Sequence, residues 1–483
     1  MRQGIPVLMV VVATGVASAG SLLADDTNAA PAATVDDKIN RLEQEIQDLK
    51  HQREIDQQQA QQQAQQQSAQ ASQPAKPAPF ILAGSDGFGF ESADSNFVLR
   101  VGGYAQADGR FYLDDRANNG ADTFLMRRVR PILQGTLYRD FDFRIMPDLG
   151  NGAASTTILQ DAYVEWHYWP WLKIRAGKFK VPVGLEWLQE DRWTDFAERG
   201  LPTDLVPQRD VGIQVSGDLL GGVVSYAGGV FNGVVDGGIA DFDTSDSKDG
   251  AARIFIRPFK TTDIDPLKGL GLGVGGSIGN EEASSTTTNL ASYKTPGQNT
   301  FFSFSKGVAP NGLEYRLAPQ GYYYWGPLGV LGEYTIADQE LQTSTHRYFI
   351  HNNAWQVAGT FVLTGEDASY NGVIPRHPFN PRVHDWGALE LLARFGALNV
   401  DPDAFGKNPT AAGVRFADPT KSAQNAREWG VGLNWYLNRN LKFVLDYDRT
   451  WFSGGAGSET ATAYTIVNRE AEQVLIGRVQ FTF

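Results

Sequence analysis

Hydrophobic and polar residues alternate along the last part of the chain, residues 473–483. One set of alternate positions includes Leu475 and Val479 and ends on aromatic side chains, whereas the other set includes Arg478 and Gln480. A strand of about ten residues with one apolar face, one polar face and aromatic residues near its end is the repeat unit of a transmembrane β-barrel. The pattern therefore predicts a membrane-spanning strand at 473–483.

The same alternation recurs upstream, in segments that are separated in turn by short turns and by longer polar loops. Single-chain outer-membrane barrels have an even number of strands, with short turns at one end and long loops at the other. Two connections, 260–268 and 365–383, are longer than the short-turn end usually has. We predict an all-β fold, a 16-stranded antiparallel transmembrane β-barrel over residues 88–483. Its strands are expected near 97–112, 122–138, 141–149, 157–168, 171–180, 209–218, 222–232, 250–259, 269–280, 312–325, 328–340, 353–364, 384–398, 427–436, 441–452 and 471–483.

The polar face of these strands carries charge. In the first strand, alternation places apolar residues towards lipid and Arg100 and Arg110 towards the interior. In the second strand it places Leu125 outward, and Arg128 and Arg130 inward. Unpaired ions are very costly in a dry core, and a barrel of sixteen strands is wide enough for an aqueous channel. The inner face is therefore expected to line a water-filled pore.

The composition of the 483-residue chain agrees with a barrel and excludes other classes of protein. The mean hydropathy is −0.30, and no run of 18 or more apolar residues follows the N-terminus, which excludes helical membrane spans. The chain has 52 Gly, 11 Trp, 17 Tyr and 27 Phe but no Cys, which excludes disulfides and cysteine-bound metals. A net charge of −13 does not suit a nucleic-acid binder, and no cofactor is expected. A secreted, soluble β-sandwich is an alternative fold.

The chain begins with the pattern of an exported protein. Arg2 precedes a short apolar run, and small residues then allow cleavage after Ala19 or after Ala24. A segment of this length is a secretory signal peptide rather than a membrane anchor. We predict a signal peptide at 1–24.

Two further segments precede the barrel. Residues 25–58 are expected to form a periplasmic helical or coiled-coil segment, because apolar residues recur there at spacings of three and four. Residues 59–87, rich in Gln, Pro and Ala, are expected to form a linker. Two interpretations of the helix stay open, namely an oligomerisation stalk and a solvated helix tethered to the barrel. The recurring apolar residues are Ile39, Leu42, Ile46 and Leu49.

A series of short motifs runs through residues 88–483. The motifs are Arg127-Arg128, Gly135–Asp140, Arg175–Phe179 followed by Gly184-Leu185-Glu186, Val211–Gln214, Ala358–Glu366 and Gly432–Tyr436. In this order they resemble the phosphate-selective porin O and P family. The resemblance implies a trimeric, sixteen-stranded porin in the outer membrane of a Gram-negative bacterium, with its N-terminal segment in the periplasm. It also implies that the third long loop, Val181–Gln208, folds into the lumen and narrows the pore.

Anion-selective members of that family resemble one another in having a ladder of arginines and a lysine cluster along the pore. Fixed cations in a narrow pore replace lost hydration and attract anions. Two interpretations stay open for such cations in this chain, namely an anion path and pairing with neighbouring acids that orients a transverse field. The candidates for lining the pore and binding anions are Arg100, Arg110, Arg128, Arg130, Lys178, Arg192, Arg199 and Arg209.

The chain departs from the anion-selective pattern in three places. Tyr104 stands where selective members have an arginine, and the loop near 281–311 contains only Lys294 and Lys306 as cations. The loop 181–208 holds six acidic residues against two arginines. These departures argue against phosphate selectivity and favour a pore of mixed charge. The acids expected at the constriction are Glu186, Glu190, Asp191 and Asp195.

The expected function is passive diffusion of small hydrophilic solutes, with inorganic anions such as phosphate among them, through a barrel surrounded by outer-membrane lipid. The alternative is a non-conducting structural or adhesive outer-membrane protein. Two catalytic patterns, Gly271–Gly276 and Gly275–Gly279, lie inside an alternating strand rather than before a helix, so they predict neither a nucleotide site nor a nucleophile. We expect no enzymatic activity, no metal site and no nucleic-acid partner.

Overall fold

The structure is a computed structural model that describes residues 34–71, 78–85, 87–113, 120–150, 159–241, 246–282, 290–344, 346–406, 415–459 and 464–483. The chain divides into two compact units, residues 1–77 and 78–483. The predicted signal peptide at 1–24 lies outside the described residues.

Helix α1 (Val35–Ala71) forms nearly all of the described part of the first unit. It continues past residue 58, because Gln and Ala are good helix formers and no Gly or Pro lies between residue 58 and Pro74. The expected linker at 59–87 is therefore corrected, since it is helical as far as Ala71 and Phe80–Gly84 forms a strand. Within the described ranges, no helix combines the length and the apolar character that a membrane crossing requires.

The second unit consists mainly of antiparallel strands. Its short helices are α2 (Leu185–Leu188) and α3 (Asp265–Lys268), with 3-10 turns at Leu201–Leu205, Leu220–Gly222 and Pro402–Phe405. The strands are β1 (Phe80–Gly84), β2 (Gly87–Glu91), β3 (Phe97–Tyr112), β4 (Thr123–Leu137), β5 (Phe141–Pro147), β6 (Leu159–Trp169), β7 (Leu172–Lys180), β8 (Arg209–Leu219), β9 (Val224–Phe231), β10 (Asp249–Ile256), β11 (Leu270–Glu282), β12 (Ser292–Lys294), β13 (Thr300–Ser303), β14 (Ala309–Trp325), β15 (Leu328–Gln342), β16 (Arg347–Val362), β17 (Ala388–Asn399), β18 (Ala423–Tyr436), β19 (Leu441–Glu459), β20 (Tyr464–Asn468) and β21 (Glu472–Thr482).

Sixteen of the strands in the described ranges, β3–β11, β14–β19 and β21, form a closed antiparallel barrel. Each pairs with the next in this order, and β21 returns to β3, where Ile476 lies opposite Arg110. The backbones of Phe483 and Gly103 exchange two hydrogen bonds of 2.9 and 2.8 Å, so the last residue completes the closure. The predicted sixteen-stranded barrel is confirmed, and each predicted segment overlaps one of these strands.

The two long connections at the short-turn end do not change the strand count. The segment 257–269 contains only α3, and 363–387 contributes no strand to the barrel within the described residues. The strands that the sequence did not predict are short, with too few residues to show alternation. They include the hairpin β1–β2, which extends the sheet beside the start of β3, where Phe88 lies opposite Val101.

The two faces of the barrel wall differ as the alternation predicted. On β3, Leu99 and Val101 are 37% and 43% exposed on the outer face, whereas Gln106 and Asp108 are buried on the inner face. The outer face thus presents apolar side chains and the inner face polar ones.

Strand β4 contains a β-bulge that breaks the alternation. The residue opposite β3 changes from Arg128 to Met126 between neighbouring positions, which leaves Arg127 as the extra residue of the bulge. Arg127 and Arg128 therefore both reach into the barrel, and beyond the bulge Met126, 44% exposed, takes the outward position. The predicted outward position of Leu125 is wrong for this reason.

Candidate functional site

Loop 181–208, the constriction loop, connects β7 to β8 and crosses the barrel interior to the opposite wall. The backbone N–H of Ala197 donates to Asp446 Oδ2 on β19 (2.6 Å). Arg394 NH1 on β17 donates to the carbonyl oxygen of Glu198 (2.8 Å). The inward-folded loop that the family resemblance implied is therefore present, and it occupies part of the lumen.

The loop folds inward because its apolar side chains find buried positions there. Leu201 and Leu205 pack into a hydrophobic cluster that includes Tyr293. At Gly200 the loop backbone lies against Gln356 of β16, so closely that a Cβ at this position would lie 1.9 Å from Gln356 Oε1. The loop can approach the wall this closely because Gly200 has no side chain.

The constriction loop leaves open space beside strands β3–β10, in two cavities of about 350 Å³ each. The long-loop cavity extends to residues 235–239 and 290–292, and the short-turn cavity lies on the other side of the constriction. Asp191 and Arg209 line both cavities. Arg209 NH2 lies 3.9 Å from Asp191 Oδ2. This pair therefore marks the place where the two cavities meet.

Four arginines surround the carboxylate of Asp191. Burial alone would raise the pKa of Asp191, but the neighbouring guanidinium groups lower it well below its ordinary value. Asp191 therefore stays ionised and compensates several of the predicted pore cations at once. The nitrogen–oxygen distances are 2.5 Å from Arg130, 2.6 Å from Arg199, 3.3 Å from Arg128 and 3.9 Å from Arg209.

A second loop carboxylate, Glu198, is surrounded in the same way. Its side chain is 3% exposed and lines the long-loop cavity. Burial would raise the pKa of Glu198, but the surrounding arginines lower it well below its ordinary value. Glu198 is one of the six acids of the loop but not one of those that the sequence predicts at the constriction. The nitrogen–oxygen distances are 2.6 Å from Arg127, 2.7 Å from Arg110, 3.3 Å from Arg478 and 3.5 Å from Arg128.

The remaining predicted cations pair elsewhere or lie apart from the constriction. Arg192 pairs with Glu190 (2.8 Å), and Lys178 pairs with Asp241. Arg100 is exposed, near the short-turn end of β3. Half of the predicted cations therefore border the open space. Among the described lining residues, the two cavities include Arg128, Arg130, Arg199 and Arg209 but not Arg100, Arg110, Lys178 or Arg192.

Two of the predicted constriction acids lie between the loop and the opposite wall. Glu186 Oε2 accepts hydrogen bonds from the backbone N–H of Gly200 (2.9 Å) and from Gln356 Nε2 (2.7 Å). Burial, followed by the nearby carboxylate of Glu390, raises the pKa of Asp195 well above its ordinary value. These two acids therefore lie where the loop packs against the opposite wall. The predicted acids that line a cavity are Glu190 and Asp191.

Several cations that line the cavities are not predicted from the sequence. Arg144, Arg175 and Arg253 occupy inward positions, so alternation could have identified them as interior residues but not as neighbours of the open space. Lys180 donates to two loop carbonyl oxygens at 2.7 Å, which only the path of the loop could predict. Within the described part of the chain, no group of three or more histidine and acidic side chains is arranged to hold a metal ion.

Three solved structures are similar in fold. OmpT of Vibrio cholerae is 11% identical, with 84% of this chain and 100% of that chain covered and a TM-score of 0.48. The outer-membrane channel DcaP of Acinetobacter baumannii is 10% identical, with 82% and 99% covered and a TM-score of 0.47. An anion-selective porin from Comamonas acidovorans is 10% identical, with 80% and 100% covered and a TM-score of 0.46.

The comparison of sequences is more specific. Porin O of Pseudomonas aeruginosa is 24% identical over 410 residues, which cover 77% of this chain and 86% of that protein. The family model described as phosphate-selective porin O and P matches residues 99–483, which is most of the chain and the whole of the closed barrel from Leu99 onward. Together with the closed barrel and the inward-folded loop, this match shows that the chain is an outer-membrane porin and belongs to the phosphate-selective porin O and P family.

Proposed function

We propose that this porin is a passive channel for small hydrophilic solutes that prefers anions, inorganic phosphate among them. One observation carries the preference. Among the described lining residues, the long-loop cavity has six cationic and five acidic side chains, and the short-turn cavity has five and three. Fixed charge of one sign along a narrow path raises the local concentration of the opposite ion. The excess of cations on both sides of the constriction therefore favours anions.

The pairing of the arginines limits the strength of this preference. Arg130 contacts both Asp148 (2.7 Å) and Asp191 (2.5 Å), and Arg209 contacts Asp161 (2.9 Å). Both guanidinium groups thus have a carboxylate partner in the protein before any solute arrives. We expect anions to be attracted and released again rather than held tightly, as conduction requires.

Reversal potentials in planar bilayers test the proposal. In a KCl gradient across the purified full chain, the potential should have the sign of an anion-selective channel, and potassium phosphate should give the same sign. A cation-selective sign in both salts would overturn the anion preference. Insertion without any conductance would instead favour the non-conducting structural alternative.

The helix α1 supports a further part of the proposal, a homotrimer with the helix in the periplasm. Its apolar residues Ile39, Leu42, Ile46 and Leu49 are 46–68% exposed in the single chain. Three such helices would bury these residues against one another, at about 25 cal/mol for each Å² of apolar surface. The barrel unit begins at the short-turn end, where β2 pairs with the start of β3, and this placement supports a periplasmic N-terminus. The exposed apolar outer face of the barrel supports contact with outer-membrane lipid.

Mass measurement of the detergent-solubilised full chain by light scattering tests the assembly. The full chain should have the mass of three copies, and Leu42→Asn with Ile46→Asn should lower the share of trimer. The control Asp48→Asn, on the side of the helix away from these apolar residues, should leave the share unchanged. A wild-type chain with the mass of one copy would exclude the trimer.

A further inference from the structure

We propose that Glu198 is a tethered competitor for solute anions, because its carboxylate occupies an oxyanion site that four arginines form. The four arginines are Arg110, Arg127, Arg128 and Arg478. The proposal rests on the proposed anion channel and deepens it, since it names one residue that keeps this site from holding phosphate tightly.

The geometry around Glu198 is that of a bound oxyanion. Arg127 approaches with its guanidinium edge, with Nε 2.6 Å from Oε1 and NH2 3.1 Å from Oε2. Arg110 NH2 and Arg478 NH2 lie 2.7 and 3.3 Å from Oε1, and Arg128 NH2 lies 3.5 Å from Oε2. A guanidinium edge matches two oxygens of a carboxylate or of a phosphate equally well. The ligand chemistry of this site is therefore a small oxyanion, which the protein itself supplies.

The charge of the site depends on Glu198. Besides Glu198, Asp108 contacts two of the four arginines, at 3.2 Å from Arg110 and 2.7 Å from Arg478. Asp191 lies 3.3 Å from Arg128 but also compensates three other arginines. Removing the charge of Glu198 would therefore leave four guanidinium groups with too little negative charge to neutralise them. Such a site attracts a dissolved oxyanion strongly.

A dissolved anion can reach Glu198 and two of these arginines. Glu198, Arg127 and Arg128 line the long-loop cavity of about 350 Å³. Since the share of one water in the liquid is about 30 Å³, this volume corresponds to roughly ten water molecules. The cavity can hold a tetrahedral oxyanion without displacing the loop.

The loop backbone holds Glu198 in place as the competitor. Its carbonyl oxygen accepts from Arg394 NH1 (2.8 Å), and the neighbouring Ala197 carbonyl accepts from Arg478 NH1. A group fixed beside its site competes at a high effective concentration. We therefore expect wild-type protein to bind external phosphate weakly at this site, so that the anion passes through.

Titration of inorganic phosphate against chloride conductance in planar bilayers tests the proposal with the full chain. In Glu198→Gln, the phosphate concentration that halves the chloride conductance should fall by about tenfold or more, the order expected for a gained set of charge-assisted bonds. Adding Arg127→Gln to this variant should reverse the gain. The matched control is Glu340→Gln, because Glu340 also pairs with an arginine, Arg347, at 2.5 Å but lines neither described cavity. In this control, the phosphate concentration that halves the chloride conductance should stay within about twofold of the wild-type value.

The outcomes separate this proposal from the proposed function. Unchanged phosphate block in Glu198→Gln, with normal chloride conductance, would overturn the tethered competitor and leave the anion channel standing. If the wild type does not conduct, the proposed function fails, and calorimetric titration of inorganic phosphate into detergent-solubilised protein replaces conductance. Binding that is stronger in Glu198→Gln than in wild type would still support the competitor, and equal binding would overturn it. Glu198→Asp keeps the charge but withdraws the carboxylate by one methylene. Its phosphate affinity should lie between those of wild type and Glu198→Gln.

Discussion

Arg209 NH2 lies 3.9 Å from Asp191 Oδ2 at the place where the two lumen cavities meet. Both side chains are almost fully buried, and each lines both cavities. Asp191 also compensates Arg130 and Arg199 at 2.5 and 2.6 Å, so one carboxylate balances several arginines between the cavities. The pair explains how a pore wall rich in arginine has a mixed charge at its constriction.

Asp191→Asn should increase the anion selectivity. The substitution removes a carboxylate that four arginines share, so the reversal potential in a KCl gradient should move further in the anion direction. Loss of one partner from a buried ion-pair network also costs about 3–5 kcal/mol, which should lower the unfolding temperature of the barrel. The control Asp265→Asn removes an exposed acid paired with Lys268 (2.6 Å) in α3 and should change neither quantity. An unchanged reversal potential in Asp191→Asn would place the ion path elsewhere.

Arg128→Ala and Arg130→Ala should shift the selectivity towards cations. Both side chains line the long-loop cavity, and their loss leaves the carboxylate of Asp191 less compensated. The measurement is the reversal potential in KCl, compared with Arg130→Lys, which keeps the charge and should retain most of the selectivity. The rim residue Arg347 provides a control, since it pairs with Glu340 and lines neither described cavity. If both alanine variants behave like wild type, these arginines act only in structural pairing.

Alternation was sufficient to predict the barrel because each wall residue faces either lipid or the interior. The strand Phe97–Tyr112, for example, has the same limits in the sequence prediction and in the structure. Alternation failed at Arg127, where a bulge adds one residue and both Arg127 and Arg128 turn inward. It also gave no information on α1, whose extension to Ala71 follows from the helix propensity of Gln and Ala rather than from periodicity.

The constriction was harder to predict than the wall. The family resemblance implied that loop 181–208 enters the lumen, and the arginines on β4 follow from alternation. The partner of each arginine could not be predicted, because Arg130 and Asp191 are brought together only by the path of the loop. The same path turns Glu186 towards Gln356 and Glu198 towards Arg127, although both acids belong to one loop. Acid counts along a sequence therefore do not show which acids border a pore.

Gly200→Val should widen the constriction. A Cβ at Gly200 would lie 1.9 Å from Gln356 Oε1, and Gln356 is held by hydrogen bonds to Glu186 (2.7 Å) and Glu333 (2.8 Å). Overpacking of this kind costs about 1–3 kcal/mol, so the loop should leave its packed position against β16 part of the time. Single-channel conductance and its fluctuation should both increase. Gly477→Ala is the control, because no atom lies within 4 Å of a Cβ at Gly477. Wild-type conductance in Gly200→Val would show that the contact between the loop and Gln356 tolerates a side chain at position 200.

The anion preference should weaken as the pH rises from about 7 to 9. Burial raises the pKa of Asp204 to about 8, although its Oδ2 accepts from the backbone N–H of Lys294 (2.7 Å). Asp204 lines the long-loop cavity, so it is neutral below this pKa and adds a negative charge above it. Because the unfolded carboxyl ionises near 3.8, this group also lowers the free energy of unfolding as the pH rises from about 4 to 8. Reversal potentials measured across this range in wild type and in Asp204→Asn check the prediction. The variant should lack the change in reversal potential near pH 8. A change of equal size in both proteins would show that another group causes it.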